Sequence, residues 1–278
     1  MKTNNSFLEF ENTMETKNVT FNKNQKLALE AMIDGKNIFL TGPSGTGKSF
    51  LINYFKDLVK KHKNIAITST TGISALLIGG TTLHSFLGIG LGSSTVEEMI
   101  KNVESKDYLR KKLLMLDILV IDEVSMLSPE LLTKIEKMLR IVRSGKKLSY
   151  INNNTTKKEP AFGGVQIVAT GDLLQLPVIN SEKFCFECDA WKDTIQEVIE
   201  LKDIIRQNDL EFQEVLNDIR FGIVSDKVKK LLEERKNVEL ECKLGIKPTR
   251  IHTTNSAVNS INEKELDKLA NEDIEFYQ

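Results

Sequence analysis

Eight consecutive residues, Gly42-Pro43-Ser44-Gly45-Thr46-Gly47-Lys48-Ser49, have the types and spacing to hold a triphosphate. Glycines let backbone N–H groups converge on phosphate oxygens, and Lys48 supplies a charge that reaches the β- and γ-phosphates. The Ser49 hydroxyl is a ligand for Mg²⁺. A second group is a pair of carboxylates, Asp122 and Glu123, closing the apolar run D-I-L-V-I-D-E at 117–123. A continuous apolar run of this length reads as a strand buried on both faces, which puts both acids at a sheet edge. There Asp122 suits the shell of the metal and Glu123 suits polarising an attacking water. Gln175 follows another apolar run and is a candidate sensor of the γ-phosphate. Arg206 stands where an arginine reaches transferring phosphate, although a single arginine also suits a surface ion pair. Gln25, upstream of the glycine loop, reads from its local pattern as a solvated helix residue.

The elements that must position these groups alternate in type. Apolar runs at 37–41, 65–68, 117–123 and 165–170 predict strands, with a last one at 198–201. Helical spacing marks 50–59, immediately after the glycine loop, and also 95–112 and 129–143. A further helix opens at 21–25, with Leu27, Ala28, Ala31 and Met32 on one face. Two more fall in 209–236, then a short strand at 249–254 and a helix from Asn255. Strand, glycine loop and helix in that order are the context a P-loop needs. The expectation is an α/β fold with a mostly parallel sheet and helices on both faces.

Glycines and hydroxyls cluster after the second strand, at Thr70, Thr71 and Gly72 and again at Thr82, His84 and Ser85. The C-terminal edge of such a sheet is its ligand side, and hydroxyls there suit phosphodiester contacts. A helix cap followed by a polar loop explains the same composition.

Charge does not choose a partner: 38 basic against 39 acidic residues give a net charge of −1, and a local basic patch is what matters for nucleic acid. No apolar run approaches the ~18 residues of a membrane span. Residues 1–18 read as a disordered lead-in; with Glu9, Glu11 and Glu15 they resemble neither a secretory nor a mitochondrial leader. Three cysteines in 278 residues suit a reducing compartment, so an intracellular protein, nuclear or cytoplasmic and not secreted, is expected. Cys185 and Cys188 form a C-x-x-C, but a zinc site needs two more ligands, Cys242 is distant and the histidines are scattered. The neighbouring Phe184, Phe186 and Trp191 point instead to core packing. The Lys/Asn-rich insert at 144–161 reads as a surface loop or a basic finger on nucleic acid.

Together these segments resemble the Pif/RecD-like DNA helicases of superfamily 1, the Pif branch above all. The family's G-P-A-G-T-G-K-S stands here as G-P-S-G-T-G-K-S at 42–49. Its T-G-I-A-A and I-G-G-x-T-L-H-S-F-x-G-I are matched by Thr71-Gly72-Ile73-Ser74-Ala75 and by 78–89. Its I-D-E-I-S-M is matched by Ile121-Asp122-Glu123-Val124-Ser125-Met126. F-G-G-x-Q appears at 162–166, G-D-F-x-Q-L-P-P-V at 171–178 with Leu173 in place of the usual aromatic, and R-Q-x-D-x-x-F at 206–212.

The resemblance implies a RecA-like P-loop ATPase domain over 19–236, and the opening of a second RecA-like domain over 237–278, where the later motifs are absent. It implies ATP and Mg²⁺ as cofactors, with Gln25 reading adenine and Arg206 offsetting charge on the γ-phosphate. It also implies single-stranded DNA and DNA junctions as partners, gripped by Thr70, Thr71, Gly72, Thr82, His84, Ser85 and, in the second domain, Asn255. The activity implied is 5′-to-3′ translocation and unwinding by a monomer, in replication, repair or recombination, including telomere maintenance. Two other functions use the same residues. One is an oligomeric ATPase of the clamp-loader type, borrowing an arginine from a neighbouring subunit. The other is a remnant that binds nucleotide and DNA without turnover.

Overall fold

A computed structural model of the chain describes residues 20–145, 159–179, 181–236, 238 and 248–267. The lead-in, most of the insert, Cys242 and much of the expected second domain lie outside the described residues. Two compact units divide at Ser225/Asp226.

The first unit is built on a parallel sheet, six-stranded among the described residues, in the order β3-β2-β4-β5-β1-β6. The strands are β1 (Ile38–Thr41), β2 (Ile65–Ser69), β3 (Thr81–Thr82), β4 (Ile118–Asp122), β5 (Gln166–Gly171) and β6 (Glu197–Glu200). Five were legible as apolar runs. The two-residue β3 was not, because so short a strand carries no periodicity.

Alternation along each central strand builds two cores. Ile38, Leu40, Ile118, Val120 and Val168 face one side and join α1 (Lys23–Ile33) and α2 (Lys48–Val59) through Leu29, Met32, Leu51, Ile52 and Phe55. Phe39, Leu119, Ile121, Ile167 and Ala169 face the other side. There they meet α5 (Val96–Glu104), α6 (Asp107–Leu114) and α7 (Pro129–Ser144) through Ile100, Leu113, Ile135 and Leu139. Between them, α3 (Gly72–Leu77) and α4 (Leu83–Leu87) flank β3, while α8 (Asp189–Lys192) and α9 (Leu210–Arg220) flank β6 in sequence. Helices on both faces of a parallel sheet with the glycine loop after β1 define a RecA-like P-loop fold.

The F-G-G stretch at 162–164 is a structural clasp. Phe162 is buried, with its N–H donating to Glu136 on α7, and Arg143 donates from Nε to the Gly163 carbonyl at 2.8 Å. Arg140 also binds Glu136 and the Glu159 carbonyl, so α7 holds the far end of the insert. Cys185 packs in the core beside Trp191, where burial pushes its thiol up to about 12. Phe184 and Phe186 depart from the core-packing expectation. They stack on each other at 5.3 Å and stay about one-third exposed, because the turn at 185–187 turns Cys185 inward and its neighbours out.

The second unit contains α10 (Asp226–Arg235) and α11 (Asn255–Leu266). The strand expected at 249–254 does not form: these exposed residues have no regular structure apart from a bend at 253–254, and among the described residues no strand pairs with them. A strand needs a partner for its backbone groups, which a β-rich local sequence does not by itself provide.

Candidate functional site

The C-terminal ends of the central strands open on one side, and the expected chemistry collects there. Gly47 is the N-cap of α2 with φ +90°, a conformation that costs a residue with Cβ, and an added Cβ would lie 3.1 Å from the Gln25 side chain. No side chain caps this helix end, so its first N–H groups are left to point at an anion. Lys48 is the first residue of α2 and Ser49 the second. Lys48 Nζ donates to the carbonyls of Gly42 at 2.7 Å and Pro43 at 3.0 Å, and Thr46 donates to Pro43 at 3.0 Å. Burial lowers the Lys48 pKa against the opposing pull of Asp172, Glu123 and Asp122.

Gln25 is buried, not solvated. It closes a capping box with Asn22, and its Nε2 donates to the Thr46 carbonyl at 3.3 Å. Helix periodicity places Gln25 on the face with Ala28, Leu29 and Met32, but only the folded loop shows that this face meets the P-loop. Arg206 is positioned by main chain: the N–H groups of Ile205 and Arg206 donate to the Gly45 carbonyl at 2.8 and 3.2 Å.

Asp122 ends β4 and is buried; its carboxyl is raised to about 6, first by burial and then by Glu123. Glu123 leaves the sheet with φ +53° and ψ +45°, a left-handed conformation that costs a non-glycine residue about 1–2 kcal/mol. Strain of this kind is concentrated at functional sites. Gln175 sits on the turn after β5, its N–H donating to the Asp172 carbonyl at 3.1 Å.

A cavity of about 560 Å³ is lined by Gln25, Ser44, Gly45, Gly47, Lys48, Ser49, Asp122, Glu123, Gln175 and Arg206. Three of the expected residues, Gly42, Pro43 and Thr46, form the loop behind it. A buried acid with a raised carboxyl and a half-buried one beside it, with a desolvated lysine and a helix N-terminus lining the same cavity, fit a divalent cation bound with a phosphate chain.

Three of the expected DNA-facing hydroxyls, those of Thr70, Thr71 and Thr82, have local partners. Thr71 and Thr82 are the N-caps of α3 and α4, accepting from Ser74 N and Ser85 N at 3.2 Å each. Ser85 is exposed, and burial lowers the pKa of half-buried His84. Thr70 donates to the Glu123 carbonyl at 2.8 Å. In the second unit Asn255 is the first residue of α11, capped by Thr254.

One feature of the site carries no mark in the sequence. Asp172, 1% exposed, receives two bonds from Arg220 on α9, at 2.7 and 2.9 Å. Burial alone would raise its carboxyl; the Arg220 bonds, the Leu174 N–H and Lys48 overcome this and lower it. Asp172 belongs to a recognisable motif, whereas Arg220 is one basic residue at the end of an amphipathic helix.

Comparison with known proteins agrees with this geometry. The family model described as PIF1-like helicase matches residues 20–230. An uncharacterised protein, 030L, of Invertebrate iridescent virus 6 is 41% identical over 270 residues, covering 91% of this chain and 48% of that protein. The ATP-dependent DNA helicase RRM3 of Saccharomyces cerevisiae is 36% identical over 250 residues, covering 86% of this chain and 32% of that one. A crystal structure of the Pif1 helicase from Bacteroides in complex with ADP-AlF3 and ssDNA superposes with a TM-score of 0.75 at 28% identity, over 91% of this chain and 58% of that one. The chain thus spans half or less of the length of these curated relatives. With a family match across most of the first unit and the family's motifs gathered around one cleft, this chain belongs to the PIF1-like helicases.

Proposed function

We propose that this chain carries the ATP-hydrolysing motor domain of a 5′-to-3′ DNA helicase acting on single strands and junctions, in replication, repair, recombination or telomere maintenance. The observation that carries this is the single cavity onto which Gln25, Lys48, Ser49, Asp122, Glu123, Gln175 and Arg206 open from separate elements. The names of the relatives support it: RRM3 is an ATP-dependent DNA helicase, and the Bacteroides enzyme was crystallised with ADP-AlF3 and ssDNA.

In this reading Gln25 meets the adenine edge, and the N–H groups at the start of α2 hold the phosphates. Lys48 leaves its loop carbonyls for the β- and γ-oxygens, and Arg206, held beside the P-loop at Gly45, offsets developing negative charge. Ser49 and Asp122 are the groups that would hold Mg²⁺, which supplies charge neutralisation on the phosphates when bound. Glu123 orients the attacking water and takes up its proton, and Gln175 senses the γ-phosphate. Thr71 and Gly72, with Thr82, His84 and Ser85, contact the DNA backbone, and Asn255 does so from the start of a second RecA-like domain.

ATP turnover with and without single-stranded DNA tests the proposal, with Lys48→Ala as control. The reading predicts turnover that DNA stimulates and that Lys48→Ala abolishes. Equal rates for the two proteins would remove the catalytic claim, and turnover indifferent to DNA would remove the motor.

A further inference from the structure

The β2–β4 ladder runs from Ile65↔Ile118 to Ser69↔Asp122, where the sheet ends. One residue further, the pairing continues by other means. Thr70 donates its N–H to the Asp122 carbonyl at 3.2 Å and its hydroxyl to the Glu123 carbonyl at 2.8 Å. That second carbonyl belongs to the residue held at φ +53°, and the same oxygen accepts from Met126 N at 3.1 Å, closing the turn at 124–126. Beneath it, Gly171 allows the close approach: a Cβ there would stand 3.0 Å from Val124 N and 3.5 Å from the Glu123 carbonyl carbon. On its other side Thr70 adjoins Thr71, whose hydroxyl caps α3 by accepting from Ser74 N. Ser74 lines the cavity that holds Lys48 and Asp122, together with Glu123. A single side chain therefore joins the strained peptide beside the two acids to the segment that opens α3.

We infer that Thr70 is a positioning residue for Glu123: its hydroxyl holds the left-handed peptide that aims the carboxylate, and so ties that aim to the 70–72 segment. This rests on the proposed ATPase reading, and it assigns Thr70 a task other than gripping DNA. A strained backbone persists only where its surroundings hold it. Without the Thr70 hydroxyl, the Glu123 carbonyl keeps one donor on its own turn and loses the one that comes from a different strand. The carboxylate then samples directions that do not place water, while the nucleotide contacts made by α2 are untouched. When DNA displaces residues 70–72, the same bond moves the Glu123 carbonyl, so DNA occupancy is read directly at the acid.

The test uses the full chain with Thr70→Val, which is isosteric but lacks the hydroxyl, and Thr70→Ser, which restores it. Thr70→Ala accompanies them in case valine fails to pack. Loss of one hydrogen bond on a catalytic group predicts that Thr70→Val lowers the DNA-stimulated kcat about ten-fold. The KM for ATP and the affinity for an oligothymidylate stay within about two-fold, and Thr70→Ser returns kcat to near the wild-type value. Amide hydrogen exchange gives a readout independent of turnover: the Met126 N–H exchanges faster in Thr70→Val and Thr70→Ala, and at the wild-type rate in Thr70→Ser. A kcat unchanged by Thr70→Val, or a parallel loss of ATP and DNA affinity, would overturn the inference. A wild-type protein without turnover would instead remove the ATPase reading. Exchange at Met126 then decides the positioning role alone, and unchanged exchange in Thr70→Val refutes it.

Discussion

Asp122 shows what a buried charge at the site costs in stability. Its carboxyl is raised from 3.8 to about 6, mostly by burial, so the folded protein binds that proton more tightly than the unfolded chain. Below pH 4 the group is neutral in both states and costs nothing; the penalty grows between pH 4 and 6 and is complete above 6, at about 3 kcal/mol. In metal-free buffer Asp122→Asn is therefore expected to raise the melting temperature at pH 7.5. The gain should shrink toward pH 5 and vanish near pH 4 in a differential scanning series; a gain independent of pH would contradict the assignment. Arg220 makes the opposite case. Removing it leaves Asp172 charged, buried and unpaired, so Arg220→Met should cost about 3–5 kcal/mol in urea denaturation. Asp172→Asn combined with Arg220→Met should recover part of that loss, and a double variant no better than Arg220→Met would show that the helix, not the pair, is at stake. Lys48, Ser49, Asp122 and Glu123 were legible because their chemistry needs fixed neighbours along the chain. Arg220 and the Thr70 bond were not, since each acquires its role from a strand or helix far away in sequence.

The strands of the sheet were readable for a simple reason: buried on both faces, their central positions are apolar in succession, and β1, β2, β4 and β5 announce themselves. The loops at their ends are where pattern stops informing. The hydroxyls of Thr71 and Thr82 fit a helix cap or a phosphate contact equally well on composition, and the folded chain gives both a capping partner. Thr82→Ala should thus cost about 1 kcal/mol in chemical denaturation, and Thr82→Asn should restore most of it by supplying another cap acceptor. No loss in Thr82→Ala would mean that the α4 cap contributes nothing in solution. The failed strand at 249–254 and the outward turn of Phe184 and Phe186 share one cause. Local sequence states a preference for extension or burial, but the partner strand or the core pocket has to come from elsewhere in the chain.

Taken whole, the first unit is a RecA-like domain whose two cores clamp one parallel sheet, leaving its C-terminal edge to carry the chemistry. Four segments deliver polar groups to that edge: α2 its N-terminus, β4 and the residue after it their acids, the turn after β5 its glutamine, and the chain after β6 its arginine. The central claim is that these segments share one ligand, a magnesium–triphosphate complex. The measurement that tests it most directly is a titration of a fluorescent ATP analogue into wild type, Lys48→Ala and Asp122→Asn, once in Mg²⁺ and once in EDTA. Lys48→Ala is expected to weaken binding about ten-fold or more in both buffers, since a charged hydrogen-bonding group is lost. Asp122→Asn should weaken it in Mg²⁺ and match or exceed wild type in EDTA, where the neutral side chain no longer repels phosphate. Binding by Asp122→Asn that equals wild type in Mg²⁺ would place the acid outside the reach of the metal–nucleotide complex and rule out a shared magnesium–triphosphate site.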